Sequence, residues 1–113
     1  MKYRNLGMSG LRVSEIGLGT NQFGGKVDLQ GTKNIISAAV DAGVNLIDTA
    51  DIYQSGRSEE FIGKAIQGKR DQVVIASKVY YPIGEGPNQK GASFHHIMNG
   101  VEASLQRLGV DTI

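Results

Sequence analysis

The sequence contains no cysteine and no tryptophan, and only 2 of its 113 residues are proline. Without cysteine it can form no disulfide framework, no thiolate zinc site and no cysteine nucleophile. Such a composition fits a reducing compartment, and we expect the cytoplasm. No apolar run approaches the about 20 residues that a membrane-spanning helix needs, and Met1–Asn5 lack the apolar core of a signal peptide.

An excess of charge of one sign is lacking as well. The 12 lysines and arginines nearly balance 11 aspartates and glutamates, which leaves a net charge of +1. A nearly neutral chain gives no electrostatic reason to expect binding to nucleic acid or to an anionic membrane. Glycine, by contrast, is abundant at 16 residues, and 40% of the residues are hydrophobic. Residues 1–113 are therefore expected to form one globular unit with a modest core and many tight turns.

The order of apolar and turn-forming segments predicts a hairpin followed by alternating strands and helices. Glycines at both ends of the turn 7–10 predict the hairpin over residues 2–13. The further predicted elements are a strand at 16–20, a helix at 29–42, a strand at 44–47, a helix from Ser58 to Gly68, a strand at 73–76 buried on both faces, a loop at 80–92 and a helix at 94–108. Asp28 and Ser93 are the expected N-caps.

Strand–helix alternation with apolar strands predicts a parallel α/β sheet. The two main architectures are an open doubly wound sheet and a (β/α)8 barrel. A barrel takes about 250 residues, so this chain would be less than half of one. Residues 110–113 have the pattern of a fourth strand just beginning, and we therefore expect an N-terminal part of a barrel, truncated at that strand. A small standalone α/β module that has lost its site is the alternative.

Three titratable residues, Asp48, Tyr53 and Lys78, follow predicted strands, where parallel α/β folds build their sites. Neighbouring strands would hold Asp48 and Lys78 on one rim, with Tyr53 near enough to fold over them. Tyrosine is a weak acid at neutral pH, but an ammonium group beside it favours its ionised form. The cluster could therefore protonate an oxygen on which negative charge develops. Taken singly, each residue is more often structural, and spacing alone leaves both interpretations open.

Other candidate motifs are weaker. Residues 17–22 begin like a dinucleotide-binding fingerprint, but Gln22 stands in place of the third glycine. His95 and His96 would diverge on a helix and suit a shared metal badly, so a capping or surface role is expected and no metal site is predicted. Glu59 and Glu60 are interpreted as acids of a first helical turn rather than as a catalytic pair.

Two segments, residues 48–53 (DTADIY) and 56–65 (GRSEEFIGKA), resemble the signature of the aldo/keto reductase family. Further segments match it: residues 3–14 resemble the family's N-terminal hairpin, 17–20 its first strand and loop, 76–78 the strand that leads to its catalytic lysine, and 101–109 its third helix. The resemblance covers essentially the whole chain.

This resemblance implies a (β/α)8 barrel closed at its bottom by the hairpin, and the NADPH-dependent reduction of aldehydes or ketones to alcohols. Tyr53 would be the general acid, with Lys78 activating it and Asp48 pairing with Lys78. By the same resemblance, Gly19, Thr20, Asn21 and Asp48 would contact the nicotinamide end of NADP(H). The loop 80–92 would help to wall the pocket for a small carbonyl substrate.

Two departures from the family's pattern stand out. Gln54 follows the tyrosine where the family often has glycine. The family's catalytic histidine and its pyrophosphate-binding region would come after Ile113, so we expect residues 1–113 alone to be inactive. The alternative function is that of a non-catalytic, cofactor-binding regulatory subunit, like the potassium channel beta subunits on the same barrel. The sequence names neither the substrate nor the oligomeric state.

Overall fold

The computed structural model describes all 113 residues. The elements are, in chain order, β1 (Tyr3–Asn5), β2 (Arg12–Ser14), β3 (Gly17–Gly19), α1 (Leu29–Asp41), β4 (Leu46–Asp48), α2 (Arg57–Ala65), β5 (Val74–Ala76) and α3 (Phe94–Leu108). Two short 3₁₀ turns, at Tyr53–Gly56 and Arg70–Gln72, precede α2 and β5. Residues 80–92 contain neither helix nor strand, as the sequence predicts.

The strands form two sheets. β1 and β2 make the predicted antiparallel hairpin, and β3, β4 and β5 form a parallel sheet in that order. The register of the parallel sheet aligns Leu18, Ile47 and Ile75 across the three strands. One residue further along each strand, Gly19, Asp48 and Ala76 lie abreast at the carboxyl edge. The α/β class with a parallel sheet is therefore confirmed.

α1 and α3 begin at side-chain caps, and α3 ends at a glycine. The carboxylate of Asp28 accepts a hydrogen bond from the Gly31 N–H at the start of α1. The hydroxyl of Ser93 accepts one from the His96 N–H at the start of α3. Gly109 ends α3 in the left-handed region, at φ 65°, which costs glycine little because it has no Cβ. These contacts explain why α3 has its predicted bounds.

The core lies between the parallel sheet and the helices. It consists of these buried residues: Phe23, Ile36, Ile47, Ile62, Ile66, Val73, Ile75 and Leu108. Ile47 and Ile75 come from the sheet, Ile36 from α1 and Ile62 from α2, so one apolar side of each element faces the same interior. None of the helices is long and apolar enough to cross a membrane.

Two sequence predictions fail at the sheet. Residues 110–113 form no strand, because no neighbouring chain segment forms a hydrogen-bonded ladder with them. β5 is buried on one face only: Ile75 is buried, whereas Val74 is half-buried and Ala76 is exposed. The face of β5 that points away from the helices has nothing packed over it to bury these residues.

The hairpin is fastened to the amino end of β4. The Ser14 N–H donates to the side-chain oxygen of Asn45 at 2.7 Å, and the Asn45 N–H donates to the Ser14 hydroxyl at 3.1 Å. The Tyr3 hydroxyl donates to the Gly43 carbonyl at 2.8 Å. Since Asn45 precedes β4 and Asp48 ends it, the hairpin and the carboxyl edge lie at opposite ends of the sheet.

Candidate active site

Asp48 and Lys78 meet at the carboxyl edge, as the sequence predicts. The parallel pairing continues past the strand ends, because the Thr49 N–H donates to the Ala76 carbonyl and the Asp51 N–H donates to the Lys78 carbonyl. Lys78 is thereby held beside β4. Its ammonium lies 2.7 Å from each carboxylate oxygen of Asp48 and 2.8 Å from the Thr49 carbonyl oxygen. These three acceptors match the three N–H donors of the ammonium.

Tyr53 lies beside this ion pair. The 3₁₀ turn that contains it folds back over the strand end, with the Tyr53 N–H donating to the Ala50 carbonyl at 3.2 Å. The Lys78 nitrogen is 5.2 Å from the centre of the Tyr53 ring, within the range of a cation–π contact. The structure thus brings together all three residues that the sequence singled out, and their chemical roles stay predictions.

The predicted cofactor residues lie in the loop after β3, and they differ in accessibility. Gly19 is exposed, and a Cβ built on it would have no atom within 4 Å. The side chain of Asn21 makes no hydrogen bond within the chain and is also exposed. Thr20 is buried, and its hydroxyl donates to the Asp48 carbonyl at 2.9 Å. Gly19 and Asn21 thus offer free surface beside Asp48, whereas Thr20 holds the loop to β4.

A buried cluster of hydroxyl groups supports this edge, and sequence reasoning missed it. The Ser58 hydroxyl lies 2.9 Å from the Thr20 carbonyl oxygen and 3.1 Å from the Thr49 hydroxyl. Ser58 and Thr49 are both completely buried. The cluster ties the loop after β3, the end of β4 and the first turn of α2 into one unit. Ser58, in the GRSEE segment, was the only hint of this cluster in the sequence. Its partners could not be identified because they are distant in the sequence.

A second missed feature is an ionic network centred on Glu59. This carboxylate lies in the first turn of α2, as the sequence predicts, but it is fully buried. One oxygen accepts a hydrogen bond from the Ser77 hydroxyl at 2.5 Å, and the other accepts one from the Arg107 guanidinium at 2.6 Å. Ser77 directly precedes Lys78, so the network joins α2, α3 and the lysine's segment.

Asp51 and His96 lie near this network and are also buried. Burial raises the pKa of the Asp51 carboxyl above its usual range, and the negative charge of Glu59 adds to the rise. The Ile52 N–H and the charges of Arg107 and His96 oppose it. One oxygen of Asp51 and the Nε2 atom of His96 have no hydrogen-bond partner. The expected surface position is confirmed for His95, which is exposed, and is wrong for His96, whose side chain α3 turns into the interior. The backbone N–H of His96 does take part in the cap at Ser93.

The loop 80–92 continues from Lys78 along the same edge. It is internally ordered: the Ile83 N–H donates to the Gln89 carbonyl at 3.0 Å, and the Gly91 N–H donates to the Tyr80 carbonyl at 2.8 Å. Tyr80 and Tyr81 pack edge to face, with ring centres 5.9 Å apart. Both rings are largely exposed. The loop therefore presents aromatic surface two residues beyond the Lys78–Asp48 pair.

Comparison with known proteins decides the family. The model of the aldo/keto reductase family matches residues 15–113. The chain belongs to the aldo/keto reductase family. This aldo/keto reductase family member is 43% identical, over its whole length, to a protein of Oryza sativa subsp. japonica. That relative is named probable voltage-gated potassium channel subunit beta.

Solved structures of other aldo/keto reductases have the same fold. The holo form of an aldo-keto reductase from Bacillus halodurans matches the whole chain with a TM-score of 0.88 and 37% identity. A Pseudomonas aeruginosa protein described as an aldo-keto reductase matches 98% of it with a TM-score of 0.85 and 42% identity. The chain spans 35% of the rice relative's length and 38% and 43% of the two structures.

Proposed function

We propose that residues 1–113 are the N-terminal part of an NADP(H)-dependent oxidoreductase that reduces aldehydes or ketones to alcohols. The observation that carries this proposal is the Lys78 ammonium, held by Asp48 at 2.7 Å and placed 5.2 Å from the ring of Tyr53. Family membership and the holo form of the Bacillus relative support it. The absence of cysteine leads us to place the protein in the cytoplasm.

The residues present fit a nicotinamide at the carboxyl edge. Gly19 has no side chain and open space where one would be, so a flat ring could approach the backbone beside Asp48. The free amide of Asn21 offers both a donor and an acceptor for a polar ligand. Thr20, whose hydroxyl is engaged with Asp48, would act by holding this loop in place. When bound, the reduced cofactor supplies the hydride.

Tyr53 would supply the proton. As negative charge develops on the carbonyl oxygen of the substrate, the Tyr53 hydroxyl donates its proton to that oxygen and completes the alcohol. The phenolate that remains on Tyr53 is stabilised by the positive charge of Lys78 across the 5.2 Å contact. Asp48 fixes the position of that charge through two hydrogen bonds. The loop 80–92 would wall the substrate's side of the site.

The test is NADPH oxidation with a panel of aldehydes and ketones, using the native polypeptide at whatever length its gene specifies. Tyr53→Phe removes the proton donor and keeps the ring, so kcat should fall by about 10²- to 10⁴-fold. Tyr3→Phe is the matched control, because Tyr3 lies in the hairpin at the opposite end of the sheet. Equal activity of the two variants would contradict the assignment of Tyr53.

The second candidate is a cofactor-binding regulatory subunit without turnover, favoured by the 43% identity to the plant protein named as a potassium channel beta subunit. Such a protein would still bind NADPH. Binding of NADPH measured by calorimetry, with no oxidation by any carbonyl in the panel, would favour this alternative. Turnover that depends on Tyr53 would favour the reductase.

A further inference from the structure

The turn that carries Tyr53 has an unusual backbone. Gln54 and Ser55 both lie in the left-handed region, at φ 52° and 55°, and Gly56 follows at φ 91°. Residues other than glycine rarely adopt such values, because the Cβ crowds the backbone, and they persist only where surrounding contacts compensate. No other non-glycine residue of this chain has a positive φ. We therefore expect contacts of Gln54 with the rest of the chain to compensate for this strain.

The side chain of Gln54 reaches across to the loop after β3. Its Nε2 atom donates a hydrogen bond to the Asn21 carbonyl oxygen at 2.9 Å. Its amide also occupies the space beside Gly25: a Cβ on Gly25 would lie 2.6 Å from Cδ of Gln54. Gly25 has no positive φ that would call for glycine, so its missing side chain is explained by the amide that fills the space.

This contact adds to two others that hold the loop, the burial of Phe23 in the core and the hydrogen bonds of Thr20 with Asp48 and Ser58. The backbone hydrogen bonds of residues 21–27 all stay within the segment 20–27. Beyond that segment, Gly25 packs against the Gln54 side chain. No other side chain hydrogen-bonds to residues 21–27. A Cβ built on Gly24 would lie 2.7 Å from Cβ of Arg57, so the loop also packs against the start of α2.

We propose that Gln54 is a positioning residue that fastens the Asn21–Gly25 loop to the turn carrying Tyr53. The loop offers the free surface for the nicotinamide and the turn offers the proton donor, so the hydrogen bond fixes one relative to the other. The strained backbone of Gln54 is the conformation that directs its amide to Asn21. The inference rests on the proposed function for its effect on cofactor binding, whereas the fastening itself stands on the structure.

Two variants separate the hydrogen bond from the strain. Gln54→Glu keeps the length, the shape and the strained φ but removes the N–H donor. Gln54→Gly removes the side chain and adopts the same φ without crowding. Gln67→Glu is the control for added negative charge, because Gln67 is exposed in the turn after α2 and makes no side-chain hydrogen bond.

The first readout needs no cofactor. Amide hydrogen exchange of residues 21–27 in the native polypeptide should be about threefold to tenfold faster in Gln54→Glu and in Gln54→Gly, the ratio expected for losing one neutral hydrogen bond. Gln67→Glu should exchange like the wild type. If Gln54→Glu exchanges at the wild-type rate, the proposal is overturned, whatever happens to activity. Exchange accelerated only in Gln54→Gly would likewise overturn it, because shape and not the hydrogen bond would then hold the loop.

The second readout is kinetic. The KM for NADPH should rise by about threefold to tenfold in both variants, and by more than kcat falls. A role confined to overall stability would lower the melting temperature and leave that KM unchanged, which would overturn the link to the cofactor. If the wild type neither binds nor oxidises NADPH, the proposed function fails, and hydrogen exchange still decides whether Gln54 fastens the loop.

Discussion

Glu59 is the residue on which the surroundings of the site depend most. Its carboxylate is fully buried, and it is paired with Arg107 at 2.6 Å. Arg107 in turn packs against the turn before α2, since a Cβ on Gly56 would lie 2.9 Å from Cδ of Arg107. A buried ion pair adds little net stability compared with apolar residues, but removing one partner leaves the other charge uncompensated.

We predict that Glu59→Gln lowers the free energy of unfolding by about 3 kcal/mol, because Arg107 loses its partner and Ser77 loses a charged acceptor. Glu15→Gln is the matched control. Glu15 pairs with Arg4 at the same kind of distance, 2.8 Å, but both side chains are exposed, so the loss should be below about 1 kcal/mol. Urea unfolding measures both. Similar losses in the two variants would show that burial does not decide the outcome.

Asp51 makes stability depend on pH. Its pKa is raised in the folded protein by burial and by the charge of Glu59, so the folded state binds the proton more tightly than the unfolded state. Stability is therefore greatest below the ordinary pKa of 3.8 and falls as the pH rises towards the folded-state pKa. Above that value the carboxylate is ionised in both states, and the loss is complete.

Asp51→Asn removes this titration. We predict that its free energy of unfolding, relative to the wild type, increases as the pH rises from 3.8 and then becomes constant. The reason is that only the wild type must give up a proton or bury a charge. Urea unfolding of both proteins at a series of pH values gives the difference directly. A difference that stays constant over the whole series would show that Asp51 titrates alike in both states.

At the scale of elements, local signals predicted the fold well. The caps Ser93 and Gly109 define α3 at both ends, and α1 ends one residue before its predicted boundary. α2 begins at Arg57, one residue before the predicted Ser58. Asp48 and Lys78 could be placed because Asp48 ends β4, Lys78 follows β5, and the two strands pair in register. The two residues are close because their strands are neighbours in the sheet, and the alternation of strands and helices in the sequence predicts that sheet.

What the sequence did not reveal depends on contacts between distant segments. Glu59 has a charged side chain that is normally exposed to solvent. It can be buried because Ser77 and Arg107, which are 18 and 48 residues away in the sequence, form hydrogen bonds with it. His96 is buried for the same kind of reason, its side chain falling on the inner side of α3. Hydrophobic periodicity cannot identify such residues, because it reads each helix without its neighbours.

Where α2 packs on α3, we predict that replacing a helical glycine by alanine destabilises the protein, which is the reverse of the usual effect. In a helix, replacing glycine by alanine ordinarily stabilises by about 1 kcal/mol. A Cβ on Gly63 would instead collide with the carbonyl of Leu108, which is backbone and cannot rotate away. We predict that Gly63→Ala lowers the free energy of unfolding by about 1–3 kcal/mol. Lys64→Ala, at an exposed neighbour, should change it by less than about 0.5 kcal/mol, and a gain for Gly63→Ala would refute the packing argument.

At the scale of the whole molecule, the parallel sheet is only partly covered. β3 and β5 each pair on one side only, so both edges present unpaired backbone groups. The face with Gly19 and Ala76 is exposed as well, whereas parallel sheets are normally covered on both faces. Open, uncharged edges tend to pair with further strands. The sheet therefore has the features of a structure that more strands would complete.

We accordingly propose that residues 1–113 belong to a longer barrel, and predict that the native polypeptide has an intact mass near three times 12.1 kDa, since the chain covers 35% of the rice relative. Residues 1–113 produced alone should associate as their concentration rises, because the edges of β3 and β5 can pair between copies. Mass spectrometry and size-exclusion chromatography over a concentration series measure the two. A native mass of 12.1 kDa with a monomer at all concentrations would mean that the open edges are stable as they stand, and the barrel proposal would fall.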